Sequence, residues 1–212
     1  MANQTQRPDT ALHNTSHLMQ YHDLIESIVA AMDARDAYTA KHSDRVADMV
    51  LVLATALDLS EDETTLLHMA AHLHDIGKIA VPDSVLRKAG PLTNPEWEEM
   101  RRHPVTGYEI LRKVDDFKEI AVLVRHHHER WDGRGYPDGL SGDQIPISAQ
   151  VVAMADVYDA LVSKRVYKDA YAPDVAVQMI LHGDCGAFNP LLLDCLTDLQ
   201  DTFKAELAVP EA

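Results

Sequence analysis

Apolar residues recur at steps of three and four along most of the chain. Leu18, Tyr21, Ile25, Ile28 and Met32 share one face of a helix, and Val46, Met49, Val50, Leu53 and Leu57 share one face of a second. Ser60 and Glu63 make an S-x-x-E capping box that opens a third helix toward His74. Gly77 is its expected stop, with an extended segment over 79–82 behind it. Thr93, Pro95 and Glu96 start a helical stretch over 95–113, and further helical patterns cover 117–127, 147–163, 173–182 and 190–204. Residues 129–146 hold four glycines and two prolines and read as a long irregular loop, a kind of segment that is usually functional. No stretch alternates with period two. The pattern predicts an all-α helical bundle, with residues 1–17 as a flexible leader and 18–212 as one domain.

Composition narrows the class. Of 212 residues 46% are hydrophobic, enough for a sizeable core, and no apolar run is long enough to span a membrane. The polar N-terminus lacks the apolar segment of a signal peptide, and Cys185 and Cys195 show no C-x-x-C spacing, so a cytoplasmic protein with reduced thiols is expected. A net charge of −15 argues against polynucleotides and anionic membranes as partners. A phosphate-bearing ligand stays open to it if metal ions and a few placed cations reverse the local field.

Twelve histidines carry the chemistry. His74-Asp75 is the strongest pair. Neighbours on a helix point about 100° apart, so these two converge on one ion only with help from other helices. Candidates are His42, His103, two of the tandem His126-His127-His128, and Asp156. The last lies among Val151, Val152, Met154, Val157 and Leu161 on a helix that is apolar nearly all round. A carboxylate buried there needs a partner, and a cation is one. His13, His17, His22, His68, His72 and His182 read as ordinary core or surface residues, and spacing alone does not choose among the three tandem histidines.

Longer runs make the chain recognisable. RDAYTAKHSDRV (35–46), HDIGKIAVPDSVL (74–86), WEEMRRHPVTGYEIL (97–111), HHERWDGRGYPDGLSGDQIP (127–146), ADVYDALVSKRVYK (155–168) and GAFNP (186–190) resemble the HD-GYP family, a branch of the HD superfamily of metal-dependent phosphohydrolases. The resemblance implies an HD-domain helical bundle in which 129–146 is the GYP loop. It sets aside His126 and implies metal ligands at His42, His74, Asp75, His103, His127, His128 and Asp156. One ion would take His42, His74, Asp75 and Asp156, the other Asp75, His103, His127 and His128, with Asp75 bridging. Iron or manganese is implied first, with zinc, nickel and magnesium as alternatives. Two positions depart from the family. Tyr38 stands where some members carry a Glu that supports a third ion, so the centre is expected to be dinuclear, and Gln150 stands where members often carry Arg.

The same resemblance implies hydrolysis of cyclic di-GMP to linear pGpG, with further cutting to GMP in some members. A water bridging two cations has its pKa lowered toward about 7 and can attack the phosphodiester as hydroxide. Lys78 is implied at the scissile phosphate, Tyr136 and Pro137 under a purine, and Arg165 and Lys168 at guanine or phosphate. Asp159 is implied either at guanine or behind a metal ligand, while Arg134 reads as a solvated loop residue. Two other readings are a cyclic di-GMP receptor without turnover and a hydrolase of a different nucleotide. Family members usually carry a sensor domain, and none is recognisable here. Control is therefore expected from a partner such as a GGDEF-type cyclase, from metal or redox state, or from homodimerisation through the first helix.

Overall fold

The computed structural model describes residues 20–35, 41–164 and 169–200. Among the described residues there are helices and turns and no strand, as the absence of period-two alternation predicts. The α-helices are α1 His22–Arg35, α2 His42–Ala56, α3 Glu61–Leu73, α4 Asp83–Leu86, α5 Asn94–Met100, α6 His103–Leu111, α7 Lys118–His126, α8 Ile147–Val162, α9 Pro173–Leu181 and α10 Pro190–Asp198. The core lies where α2, α3, α7 and α8 meet. Val46, Val50, Leu53, Leu67, Met69, Ile120, Met154 and Tyr158 are all within 1% of complete burial there. Each apolar side chain so buried contributes about 1.5–3 kcal/mol against conformational entropy. Helix α8 is buried on nearly every side, so its polar residues must find partners inside.

The third helix opens as expected: the Ser60 amide donates to Glu63 at 3.0 Å, and the Glu63 amide donates to the Ser60 hydroxyl at 3.3 Å. Its end differs from the sequence reading. The α-helix stops at Leu73, His74 follows as its cap, and residues Ile76–Ala80 wind into a 3₁₀ turn. Gly77 is therefore no helix stop, and extended backbone begins only at Val81. Gly77 serves another purpose. A Cβ at that position would lie 1.9 Å from the His103 carbonyl oxygen and 2.6 Å from the Gly107 amide nitrogen, so the turn can rest directly on α6. Arg35 binds the turn from outside, donating to the carbonyls of Lys78 (3.0 Å), Ile79 (2.7 Å) and Val81 (2.5 Å). The stretch expected as one helix over 95–113 is two. The break at residues 101–102 puts His103 in the first turn of α6, aimed at the 3₁₀ turn.

Residues 129–146 form the expected irregular loop, with one short 3₁₀ turn at Gly142–Gln144. Cys185 and Cys195 form no disulfide. The leader, Tyr38, Arg165, Lys168 and residues 201–204 of the last predicted helix lie outside the described residues.

A candidate metal centre

Five segments bring their donors to one point. His42 begins α2, His74 caps α3, Asp75 precedes the 3₁₀ turn, His103 begins α6, His127 and His128 follow α7, and Asp156 stands mid-way along α8. Asp75 lies in the middle. Its Oδ2 is 3.4 Å from His74 Nε2 and 4.0 Å from His42 Nε2, while its Oδ1 is 3.3 Å from His103 Nε2. Asp156 Oδ1 closes the first side at 3.2 Å from His42 Nε2 and 4.0 Å from His74 Nε2. On the second side His103 Nε2 and His127 Nε2 are 3.3 Å apart, and the rings of His127 and His128 are centred 4.0 Å from each other. His42, His74 and Asp75 thus form one group of converging donors, and His103, His127 and His128 another.

The tautomers are set by hydrogen bonds behind the rings. Nδ1–H of His74 donates to the Ala71 carbonyl (2.7 Å), that of His103 to Met100 (2.9 Å) and that of His127 to Val124 (2.7 Å). A carbonyl only accepts, so each ring keeps its Nε2 lone pair for the centre. At His42 a carboxylate stands behind the ring instead, with Nδ1 2.6 Å from Asp159 Oδ2. Burial, first of all, drives the basicity of these rings down, His103 to about 3, His128 to about 4 and His127 well below its ordinary value. Neutral imidazoles result, the form that ligates metals. Burial acts against ionisation of Asp75 and Asp156, but Lys78 and the imidazoles outweigh it at Asp75, as His42 does at Asp156, and both stay ionised. Burial would also lower His42. Its hydrogen bonds to Asp156 and Asp159 prevail and raise it to about 9.

This donor set fits divalent cations. His74 Nε2 is buried with no hydrogen-bond partner, a cost that a cation removes. Separations of 3.2–4.0 Å suit donors about 2.1 Å from a common ion. The residues form clusters able to bind divalent metal, and hydrogen bonds behind the rings hold them in place.

Around the centre the structure sorts the remaining sequence-predicted residues. Lys78 reaches in, its Nζ 2.5 Å from Asp75 Oδ2. Tyr136 lies half-buried with its ring 4.8 Å from that of His128, and burial raises its phenol further above the ordinary range. Pro137 follows it, also half-buried, and Arg134 is exposed as expected. Asp159, expected either at guanine or behind a metal ligand, lies behind His42: it is buried, and its carboxylate is taken up by His42, by Arg45 at 2.5 Å and by the Ser163 hydroxyl at 3.1 Å. Gln150 is buried and donates to the Ile145 carbonyl at 3.1 Å.

Sequence reasoning missed three supporting residues. Arg45, one turn after His42, holds Asp159 in place. Glu129 is a buried carboxylate that accepts from the amides of Asp138 (2.6 Å), Gly139 (3.1 Å) and Leu140 (3.1 Å), folding the loop back over the histidines. Its placement directly after the tandem histidines was the available signal. Arg101 stands over the Tyr136 ring at 5.4 Å. At Gly135 a Cβ would fall 2.4 Å from the Arg130 amide nitrogen, so the loop closes this tightly only with glycine there.

Comparison with known proteins agrees with this architecture. A family model described as HD domain matches residues 23–185. The Xanthomonas campestris pv. campestris protein named cyclic di-GMP phosphodiesterase response regulator RpfG is 43% identical over 176 residues, covering 82% of this chain and 47% of that protein. A Vibrio cholerae protein named 3'3'-cGAMP-specific phosphodiesterase 2 is 40% identical over 188 residues, covering 86% of this chain and 35% of the other. The chain thus spans less than half the length of these two relatives. Two solved structures share the fold at 19% identity. One is an HDG"Y"P protein from Bdellovibrio bacteriovorus (TM-score 0.62, 90% of this chain and 69% of that one), the other a V. cholerae cyclic GMP-AMP specific phosphodiesterase (TM-score 0.68, 88% and 50%). With the family model matched over most of its length, this chain belongs to the HD domain family.

Proposed function

We propose that this chain is a metal-dependent phosphodiesterase that opens cyclic di-GMP to linear pGpG, with GMP as the product of a second cut. The observation that carries the reading is Asp75, one carboxylate whose two oxygens face two separate sets of imidazoles. His42, His74, Asp75 and Asp156 would hold one cation, and Asp75, His103, His127 and His128 the other, iron or manganese being first choices for imidazole with carboxylate. Two cations bound there would supply Lewis acidity toward phosphate oxygens and a water acidic enough to attack near neutral pH. The protein's own groups would do the rest. The carbonyls behind the rings fix their tautomers, Lys78 would exchange Asp75 for a phosphate oxygen, and Tyr136 and Pro137 would offer apolar surface to a purine. Arg165 and Lys168, placed at guanine or phosphate by the resemblance, belong to the same proposal, as does a centre of two ions, with Tyr38 standing in the sequence where some members carry Glu. Pairing through α1 draws support from Leu24 and Ile28, which are exposed on it, and a regulatory partner would be the other source of control.

Relatives named cyclic di-GMP phosphodiesterase, at 43% and 42% identity, support the substrate. A second reading, cyclic GMP-AMP, is favoured by the relative at 40% identity named for that nucleotide. A receptor without turnover is disfavoured by a full set of converging donors. The test is turnover of the purified, metal-loaded chain on both cyclic dinucleotides with product identification. Linear pGpG formed faster than the linear GMP-AMP product is expected. The reverse order moves the chain to the second reading, and binding of either nucleotide without cleavage refutes the phosphodiesterase.

A further inference from the structure

Three histidines that read as ordinary core or surface residues come together away from the candidate centre. His22 is the first residue of α1, and His68 and His72 lie one turn apart on α3. One ring nitrogen from each lies within 4.8 Å of the others. His68 Nε2 and His72 Nε2 are 3.3 Å apart, the same separation found between His103 Nε2 and His127 Nε2. Two donors about 2.0–2.1 Å from one tetrahedral ion stand about 3.3–3.4 Å apart. The His22 ring is stacked on that of His68 at 5.6 Å and meets that of His72 edge-on at the same distance. His72 is 5% exposed and its Nδ1 has no hydrogen-bond partner.

From this geometry we infer a second metal site, in which His22, His68 and His72 hold one zinc-type divalent cation between α1 and α3. Imidazole donors alone, with no carboxylate oxygen among them, suit borderline zinc rather than the harder magnesium or calcium. Carboxylates stand near the Nδ1 atoms of two of the rings. Asp44 Oδ1 is 3.7 Å from His72 Nδ1 and Glu26 Oε1 is 3.5 Å from His22 Nδ1. At those distances they favour a cation at the rings without fixing the imidazoles as Asp159 fixes His42. Burial, the first cause, together with His22 lowers the basicity of His68, which leaves its ring neutral at pH 7 and able to ligate. The His22 side chain is 25% exposed, so an ion can enter and water can take the fourth position. An ion here would pin the start of α1 to α3, the helix that His74 caps.

The test is elemental analysis of the full chain reconstituted with zinc, comparing wild type with His22→Ala, His68→Ala and Asp75→Ala. The first two should each hold one zinc fewer per chain than wild type, while Asp75→Ala loses the centre's ions and keeps this one. His22→Ala is the safest variant for folding, because the residue is partly exposed at a helix start. A His22→Ala chain with the wild-type zinc content overturns the proposal, as does an Asp75→Ala chain with no zinc at all. Cobalt added to Asp75→Ala should give the strong visible bands of a tetrahedral site, and their survival in Asp75→Ala/His22→Ala would also refute it.

Discussion

Helix α3 is flanked by two groups of histidines with the same 3.3 Å contact between imidazoles, but the two are held very differently. At the candidate centre three rings are hydrogen-bonded through Nδ1 to main-chain carbonyls within 2.9 Å, and a fourth to a buried carboxylate at 2.6 Å. At the α1–α3 cluster the corresponding carboxylates stand off at 3.5 and 3.7 Å and belong to exposed residues. The centre also contains two ionised carboxylates, Asp75 and Asp156, and the other cluster contains none. Chemistry on a phosphate needs donors fixed before substrate arrives, because small misplacements of reacting groups are costly in rate. A brace between helices needs only enough ligand strength to hold an ion. On the two proposals, what stands behind the rings would separate a reactive site from a structural one.

The strongest way to break this contrast is Asp75→Ala. One side chain faces both halves of the centre, so the variant should lose two ions per chain and reduce turnover by about 10³-fold or more. His103→Ala should spare the ion beside His42 and release the other preferentially. Metal analysis with single-turnover kinetics checks both, and an Asp75→Ala chain that keeps the centre's two ions and still cleaves would show that Asp75 does not bridge.

A smaller effect is expected from Gly77→Ala, which touches no donor. The added Cβ overlaps the His103 carbonyl and must push α6 away from the 3₁₀ turn. Stability should fall by about 1–3 kcal/mol, the range for overpacking, and turnover by about 10²-fold, as reacting groups displaced by about 1 Å commonly lose. Thermal unfolding beside metal content measures the two. A variant with wild-type activity would mean that the approach of α6 to the turn does not set the centre.

The mildest change, Asp159→Asn, removes a charge and keeps the shape. Loss of the carboxylate behind His42 should weaken the affinity of the adjoining ion about 10–100-fold and leave the fold intact. Competition with a chelator reads this directly. Unchanged metal affinity with a raised KM would favour the other role expected for Asp159, at the substrate.

Much of this was legible in the sequence because the information is local. Periods of three and four set most helices, the S-x-x-E box set the start of α3, and the Gly- and Pro-rich run set the loop. The motif runs carried by resemblance pointed to the family and named the candidate donor residues. The helix boundaries near the site were less legible. The sequence places the helix stop at Gly77, yet the α-helix ends at Leu73, and the 3₁₀ turn that follows gives Asp75 a direction of its own. That break depends on Gly77 meeting α6 and on Arg35 binding the turn's carbonyls, contacts between residues distant in sequence.

The amino-acid sequence by itself determined an all-α chain, an acidic surface, a long glycine-rich loop and a set of donors too particular to be accidental. Tertiary structure alone put Asp159 against His42 rather than in the open, set Glu129 under the loop, and brought His22 to His68 and His72. The reason is geometric. Periodicity along a helix reports which side of it is apolar, and so what is buried, whereas a metal site is defined by the meeting of side chains from different helices. Those meetings follow from crossing angles and close approaches that no single segment encodes.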